Sequence, residues 1–263
     1  MLNTIKSYAK INLFLNVVDK LDTGFHELNS VLSRIDLYDE IRIKDESSFS
    51  ISYNGPFGDQ VGSNDHISKL FNYLIDKNYL KQKSFAIHVV KNIPVGSGLG
   101  GGSSNVAEII KYLIRSNLLD NSSSTEIARD LGSDIEFFID EGSALISGKG
   151  NVDQRLKINS DKHFLIVFPN VQNSTKDIFN KHSNLSGEKF SYNKDTNLDG
   201  ILKNTSNELE KTALLANQEM KKIREYLNND INCKYERMTG SGSAYFTVYE
   251  AVSYTHLTLP TTT

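Results

Sequence analysis

The feature that most constrains this chain is a glycine-rich segment at residues 93–104. Five glycines fall within seven residues, from Gly96 to Gly102, and two serines follow. Upstream, residues 84–90 are rich in β-branched and aromatic side chains, which predicts a strand. Downstream, apolar residues recur at three- and four-residue intervals between Val106 and Ile114, which predicts a helix. A strand therefore leads into a glycine loop, and the loop opens a helix.

This arrangement favours an anionic ligand. The first turn of a helix has unpaired backbone N–H groups and a partial positive charge. Glycine lets a ligand approach the backbone without meeting a Cβ, and Ser103 and Ser104 can cap the helix or add hydroxyl donors. Together these features predict a phosphate site. A tight turn without a ligand is the alternative, but such a turn needs fewer glycines.

Two general phosphate-loop patterns fit this segment poorly. A P-loop requires a lysine at its end, whereas this loop ends Gly-Gly-Ser-Ser. A dinucleotide fingerprint is formally present, because Gly96, Gly98 and Gly101 have the required spacing and Asp120 follows. However, Pro94 separates the strand from the loop, and no parallel series of strands and helices comes after it.

A third pattern, Pro-x-x-x-Gly-Leu-Gly-x-x-Ser-Ser, resembles the GHMP kinases, a family that includes galactokinase, homoserine kinase and mevalonate kinase. The triple-glycine form found here is similar to one branch of that family. The resemblance implies that the loop binds ATP. The implied ATP-binding residues are Pro94, Val95, Gly96, Ser97, Gly98, Leu99, Gly100, Gly101, Gly102, Ser103 and Ser104.

A second motif lies in residues 7–18, where apolar and polar side chains alternate as in a strand. This period of two sends Lys10 and Asn12 together to the face opposite the core. Taken alone, the pattern fits a solvated strand face. The segment Ala-Lys-Ile-Asn-Leu-Phe-Leu also resembles the first motif of the GHMP kinases, which implies that Lys10 is catalytic and that Asn12 contacts substrate.

The second catalytic candidate follows the helix predicted before Gly132. Asp134 comes directly after that glycine stop and before an apolar cluster, where an acid often serves only as a cap. The segment also resembles a family segment whose aspartate faces the lysine of the first strand. The resemblance implies that Asp134 is the base that accepts the proton of the substrate hydroxyl. Glu136 stands where the family usually has proline.

The substrate implied by this branch is a cytidine diphosphate-linked methylerythritol, an isoprenoid precursor phosphorylated by ATP with Mg²⁺ on its 2-hydroxyl. No carboxylate cluster for the metal is visible. Another GHMP kinase, such as homoserine kinase, would lack the cytidine residues, and a non-catalytic nucleotide-binding module would lose Lys10 or Asp134. His66 stands where relatives usually have asparagine. The implied substrate-binding residues are Asn12, Phe25, His26, Thr175, Phe179 and Gly240.

The fold implied is α+β in two lobes, the two-lobe GHMP kinase fold. An N-terminal domain like ribosomal protein S5 is expected over 1–158 and a ferredoxin-like C-terminal domain over 162–252, with a second glycine turn, residues 240–243, matching the third family motif. Strands are predicted at 33–38 and 40–44, a capping box at Ser123–Glu126, and helices at 201–209 and 220–227. Residues 253–263 match nothing, and we expect a foreign or disordered tail.

Composition sets the remaining expectations. The 263 residues carry a formal charge of −3, which gives no electrostatic argument for nucleic acid or an anionic membrane. Cys233, the single cysteine, rules out an internal disulfide and is expected to be a buried apolar residue and not a nucleophile. No signal-peptide layout or membrane span is visible. We therefore expect a soluble, cytoplasmic protein that binds small molecules, while its oligomeric state stays open.

Overall fold

The computed structural model describes residues 4–63, 65–81, 84–158, 162–193, 196–230 and 232–250. Within these ranges the chain forms two sheets with helices packed around them. The expected α+β fold in two lobes is confirmed. The predicted tail at 253–263 lies outside the described residues.

The larger sheet forms the N-terminal lobe. Its strands are β1 (Thr4–Lys20), β2 (His26–Asp45), β3 (Ser50–Asn54), β4 (Phe85–Val90), β5 (Ser143–Gly148) and β6 (Asn151–Leu156). They are ordered β3-β4-β2-β5-β6, with β1 paired to β2 along nearly its whole length. The helices of this lobe are α1 (His66–Asp76), α2 (Gly101–Arg115), α3 (Ser124–Leu131) and α4 (Ile135–Ile139).

Strand β2 is one continuous element, so the prediction of separate strands at 33–38 and 40–44 is wrong. No glycine or proline interrupts it. Asp39, at the predicted break, is fully buried, and its carboxylate accepts the backbone N–H groups of Asn92 and Ile93. Because these N–H groups satisfy the buried charge, strand β2 continues through Asp39.

Strand β1 is buried on both faces, which the alternation of its side chains did not predict. Lys10 and Asn12 do share a face, but they are only 3% and 4% exposed, respectively. The other face packs into a cluster that joins Ile11 to Leu198 and Phe246 of the second lobe. A solvated strand face is therefore excluded for Lys10.

The C-terminal lobe holds an antiparallel sheet ordered β7-β9-β8. Its described elements are β7 (His163–Val167), α5 (Thr175–Lys181), α6 (Leu198–Asn204), α7 (Glu210–Ala216), α8 (Gln218–Asn228), β8 (Tyr235–Met238) and β9 (Tyr245–Tyr249). The helix predicted at 220–227 is confirmed within α8. The sequence patterns did not predict α7 or β8.

The helix predicted at 201–209 ends early, because its last residues pair with β1 instead. The backbone N–H of Leu15 donates to Ser206 O (3.0 Å), and that of Glu208 donates to Leu15 O (2.9 Å). The unpaired backbone groups of β1 at Leu15 thus bind residues 206–208 in place of a continued helix. This contact joins the two lobes.

Helix starts follow the sequence in part. Asp65 caps α1, since its side chain accepts the N–H groups of Ile67 and Ser68. The capping box predicted at Ser123 is wrong, because Ser123 makes no side-chain cap bond, and Asp120 instead accepts the N–H of Ser122. Among the described residues, no helix is long and apolar enough to cross a membrane.

Candidate active site

The glycine loop joins β4 to α2 and touches both lobes. Gly96, Gly98 and Gly100 have φ values of +66°, +81° and +74°, a region that favours glycine. At Gly98, a Cβ would lie 2.2 Å from the carbonyl oxygen of Thr239 in the C-terminal lobe. Glycine is therefore required at this position both for its conformation and for the close contact between the lobes.

Helix α2 begins at Gly101, with Gly100 as its N-cap. Ser103 and Ser104 lie inside the first turn, so the prediction that they cap the helix is wrong. Ser104 is buried and its Oγ accepts a hydrogen bond from Ser7 Oγ (2.8 Å), whereas Ser103 lines the cavity above the loop. The N–H groups of residues 101–103 have no intrahelical carbonyl partner, as at any helix start, whereas the N–H of Ser104 donates to Gly100 O (2.9 Å).

A cavity of about 480 Å³ covers the loop and is lined from both lobes. It brings together most residues of the predicted site. The predicted residues that line it are Lys10, Asn12, Pro94, Val95, Gly96, Ser97, Gly98, Gly100, Gly101, Gly102, Ser103, Asp134, Thr175, Phe179 and Gly240. The side chains of Leu99 and Ser104 are buried instead, so neither lines the cavity.

Lys10 and Asp134 meet at the floor of this cavity. Lys10 Nζ lies 3.4 Å from Asp134 Oδ2 and donates a hydrogen bond to Asn12 Oδ1 (2.7 Å). The backbone N–H of Lys10 also donates to Leu99 O (2.9 Å), which fixes β1 against the glycine loop. Their catalytic roles stay predictions, but the pair adjoins the phosphate loop.

The carboxylate of Asp134 is not used as a helix cap. Asp134 occupies the N-cap position of α4, yet its side chain accepts no capping hydrogen bond. Gly132 ends α3 as predicted, and this stop places Asp134 at the cavity. The alternative that this acid serves only as a cap is therefore not supported.

Asn12 is held rigidly beside Lys10. Its Nδ2 donates to Ser30 Oγ (2.9 Å), and its backbone N–H donates to Thr239 Oγ1 (2.9 Å). Thr239 directly precedes the second glycine turn, residues 240–243, which matches the third family motif. The sequence analysis did not select Thr239, although its place beside that motif was a usable signal.

The second glycine turn, residues 240–243, adjoins the cavity and is held in place by short polar contacts. Thr175 Oγ1 and Ser241 Oγ are 2.8 Å apart. Gly240 has a φ of +58°, and its carbonyl accepts a hydrogen bond from Asn207 Nδ2 (2.8 Å). These contacts hold the second glycine turn against the start of α5.

A second cavity, of about 970 Å³, adjoins the first, and Phe179 lines both. The rings of His26 and Phe179 lie 5.3 Å apart at 31°, with burial lowering the pKa of His26 and Lys20 acting in the same direction. Phe25 is 61% exposed, and Lys149 Nζ lies 4.7 Å from its ring centroid. The ring facing Phe179 is therefore His26, and Phe25 lies at the rim.

His66 borders the loop from α1. Its ring lies 3.2 Å from where a Cβ on Gly102 would be, and it lines the loop cavity together with Tyr53 and Asp65. Burial lowers the pKa of His66, so the ring is neutral at pH 7. A neutral imidazole offers one donor and one acceptor to a ligand in this part of the cavity.

Sequence reasoning missed a buried group beneath the loop, formed by Asp39, Lys91 and Asn105. Lys91 Nζ donates to Asp39 Oδ2, and Asn105 Nδ2 donates to the same oxygen (3.0 Å). Burial lowers the pKa of Lys91, while Asp39 opposes that shift. The one available hint was the position of Asp39 between Leu37 and Ile41, where a period-two strand pattern would expect an apolar residue.

Few other side chains in the described residues are candidates for metal binding or nucleophilic catalysis. In the described part of the chain, no group of three or more histidine, cysteine, aspartate or glutamate side chains could hold a metal ion. Cys233 is half-buried, and burial raises the pKa of its thiol to about 11, so it stays protonated at pH 7. This agrees with the prediction that it is not a nucleophile.

Comparison with known proteins agrees with this geometry. Residues 65–145 match the family model described as GHMP kinases N terminal domain. The 4-diphosphocytidyl-2-C-methyl-D-erythritol kinase of Pelagibacter ubique (strain HTCC1062) is 38% identical over 250 residues, which cover 92% of this chain and 88% of the relative. The kinase of the same name from Caldicellulosiruptor saccharolyticus is 31% identical over 255 residues, covering 93% and 87%.

The solved structures that resemble this chain also include kinases. A crystal structure of 4-(cytidine 5'-diphospho)-2C-methyl-D-erythritol kinase superposes with a TM-score of 0.72 at 25% identity, covering 94% of this chain and 90% of that one. The mevalonate kinase of Methanococcus jannaschii gives a TM-score of 0.58 at 17% identity, covering 95% and 91%. The second likeness shows a shared fold.

Proposed function

Because this chain belongs to the 4-diphosphocytidyl-2-C-methyl-D-erythritol kinase family, within the GHMP kinases, we propose how its cavity carries out that reaction. The chain is an ATP-dependent kinase that phosphorylates 4-diphosphocytidyl-2-C-methyl-D-erythritol in the isoprenoid pathway. The observation that carries the assignment of roles is the Lys10–Asp134 pair, which adjoins a glycine loop and lines the same cavity.

Asp134 is the general base in this proposal. The 2-hydroxyl of the substrate is a weak nucleophile, so a carboxylate must accept its proton as the oxygen attacks the γ-phosphorus of ATP. The new P–O bond forms as the bond to the leaving ADP breaks. A well-positioned carboxylate suffices, since positioning and charge neutralisation account for most of the barrier reduction when the transition state is loose. The side chain of Asp134 is 35% exposed, so substrate can reach it.

Lys10 has two tasks beside that base. Its ammonium group lies 3.4 Å from the Asp134 carboxylate and orients it, and it faces the cavity in which the γ-phosphate would lie. Asn12 accepts a hydrogen bond from Lys10 and so fixes the direction of the amine. With Asn12 itself held by Ser30 and Thr239, the hydroxyl, the base and the ammonium can be aligned before transfer.

The glycine loop binds the ATP phosphates through the N–H groups at the start of α2. The neighbouring cavity binds the cytidine moiety of the acceptor, with His26 and Phe179 against the cytosine ring. Thr175 and Gly240 line the loop cavity, and Thr175 also lines the neighbouring cavity, so we expect both to contact the acceptor. Two small-molecule substrates thus meet at Lys10 and Asp134, in a protein that we place in the cytoplasm.

Mg²⁺ fits this site as a phosphate-bound ion. Magnesium prefers oxygen ligands and commonly keeps water and phosphate oxygens with few protein groups. The Ser103 hydroxyl lines the cavity at the start of α2 and would hold such an ion together with the phosphates. When bound, the ion supplies charge neutralisation at the phosphate oxygens.

The test is product formation from ATP with three acceptors. The cytidine diphosphate substrate should be phosphorylated, and homoserine and mevalonate should not. Mass measurement after mild hydrolysis should place the new phosphate on the methylerythritol moiety, and nuclear magnetic resonance should place it on the 2-hydroxyl. Phosphorylation of homoserine or mevalonate in preference to the cytidine substrate would reject the proposal.

A further inference from the structure

A single buried carboxylate contacts both ends of the glycine loop. Asp39 lies in β2 and is 0% exposed. Its Oδ1 accepts the backbone N–H groups of Asn92 (2.8 Å) and Ile93 (2.9 Å), the two residues before the loop. Its Oδ2 accepts Nδ2 of Asn105 (3.0 Å), the residue directly after Ser104. Asp39 therefore spans the two ends of residues 94–104.

The amide of Asn105 is fully used in this network. One of its N–H groups reaches Asp39, and Nδ2 also donates to Ser7 Oγ (2.9 Å), whose hydroxyl donates to Ser104 Oγ (2.8 Å). Its Oδ1 accepts a hydrogen bond from Lys91 Nζ (3.2 Å). Each of these side chains is at most 3% exposed, although Lys91 and Asn105 border the loop cavity, so a lost partner leaves a buried polar group poorly satisfied.

We propose that Asp39 is a positioning residue for nucleotide binding. A loop with five glycines has many conformations available, and ordering it during binding would weaken the affinity for ATP. By fixing where β4 ends and where α2 begins, Asp39 orders the loop before ATP arrives. The proposal rests on the proposed function only in taking the loop as the ATP site. Asp39 does not line the cavity, so it acts through the loop.

Asn105→Ala cuts the contact at one end of the loop and keeps the Asp39–Lys91 ion pair. Because Asn105 also lines the loop cavity, ATP affinity must be measured together with the order of the loop in the absence of ATP. Asn29→Ala is its matched control. Asn29 is also an asparagine that is 3% exposed, and its Oδ1 accepts the N–H of Phe190 (2.7 Å), away from the loop. Both variants lose one buried amide, so both should lower the melting temperature.

The dissociation constant of ATP, measured by titration, should separate the two variants. Asn105→Ala should raise it about 10-fold, or about 1.4 kcal/mol. Hydrogen exchange at the amides of residues 94–104 should be faster in this variant without ATP. Asn29→Ala should change neither value, and the acceptor KM should stay unchanged in both. Asp39→Asn, which presents an amide N–H to the donors of Lys91 and Asn105, should weaken ATP binding at least as much.

Several results would reject the proposal. If Asn105→Ala behaves like Asn29→Ala in ATP binding, or raises the acceptor KM as much as the ATP dissociation constant, the network is only structural. If Asn105→Ala weakens ATP binding but leaves hydrogen exchange of residues 94–104 unchanged without ATP, Asn105 contacts ATP directly and the positioning role is rejected. If Asp39→Asn does not fold, Asn105→Ala alone decides. A wild-type protein that binds no ATP would instead reject the proposed function, which keeps the two failures distinct.

Discussion

Lys10 Nζ and Asp134 Oδ2 lie 3.4 Å apart, but only Asp134 has access to solvent: the side chain of Lys10 is 4% exposed and that of Asp134 is 35% exposed. Both side chains line the loop cavity, but the lysine is almost wholly buried and the acid is open to solvent. This asymmetry suits a base that exchanges protons with substrate and bulk water beside a cation that does not move.

Asp134→Asn should reduce kcat by about 100-fold or more, because the amide cannot accept the hydroxyl proton. The fold and the ATP affinity should be kept, since the carboxylate makes no capping bond and is partly solvated. Steady-state kinetics, ATP titration and thermal denaturation measure the three quantities. Near-normal turnover in a folded variant would remove Asp134 from the mechanism.

Lys10→Met should abolish activity and also destabilise the protein by about 1–3 kcal/mol, because it leaves the buried Asn12 Oδ1 with only the long hydrogen bond from Thr239 Oγ1 (3.3 Å). A solvated strand face would have given a much smaller loss of stability. Urea unfolding measures the free energy. In the double variant with Asp134→Asn, the loss in kcat should be far less than the product of the single losses. Independent, multiplying losses would argue against one catalytic unit.

Gly98→Ala should weaken ATP binding and stability together. Alanine at this position would have to keep a left-handed φ. Its Cβ would lie 2.2 Å from Thr239 O, which would force the loop away from the C-terminal lobe. Gly101→Val is a poorer probe, since Gly101 starts α2 and its Cβ would instead crowd Ile93. Gly200→Ala, in α6, is the control and should keep normal ATP affinity. An ATP dissociation constant unchanged by Gly98→Ala would contradict the tight loop contact.

Phe179→Ala should raise the KM for the cytidine substrate with little effect on the KM for ATP, because an aromatic face is worth about 1–3 kcal/mol per stacked base. His26→Ala should have a similar effect and also weaken the preference for cytidine over uridine. Phe25→Ala should have a smaller effect, since Phe25 is 61% exposed and lies at the rim. Steady-state titrations with both nucleotides measure these values. A larger effect from Phe25 than from His26 would show that the rings rearrange on binding.

Stability should fall as the pH drops below the ordinary His66 pKa of 6.5, because burial holds the pKa of His66 lower in the folded protein. Lys69 and Lys91 act in the same direction, and Asp65 acts against them. The unfolded chain takes up the proton first, so stability decreases from about pH 6.5 until the folded pKa is passed. Denaturant unfolding between pH 8 and 5 should show a smaller decrease in His66→Asn. Parallel pH curves for the two proteins would contradict this.

Local sequence patterns predicted the elements whose cause is local. The glycine loop and the Gly132 stop depend on neighbours in sequence, and the structure has both. The family resemblance supplied the pairing of Lys10 with Asp134, which no periodicity could give.

The errors in prediction have tertiary causes. Alternation in β1 gave the correct faces but not their burial, because the second lobe and the glycine loop cover both sides. Residues 205–209 have a helical pattern, yet they pair with β1 because that strand has free backbone groups. Asp39 interrupts an apolar pattern, and only residues 91–93 and 105, far along the chain, explain why the strand continues.

Strand β1 determines whether the two lobes of this enzyme could fold as separate fragments. It pairs with β2 in one lobe, exchanges main-chain hydrogen bonds with residues 206–208 of the other, and packs Ile11 against Leu198 and Phe246. A gene cut at residues 159–161 would therefore give two fragments that each expose the surface the other covers. We expect such halves to be insoluble when produced separately and to regain activity only when produced together. The two lobes would then behave as one cooperative folding unit.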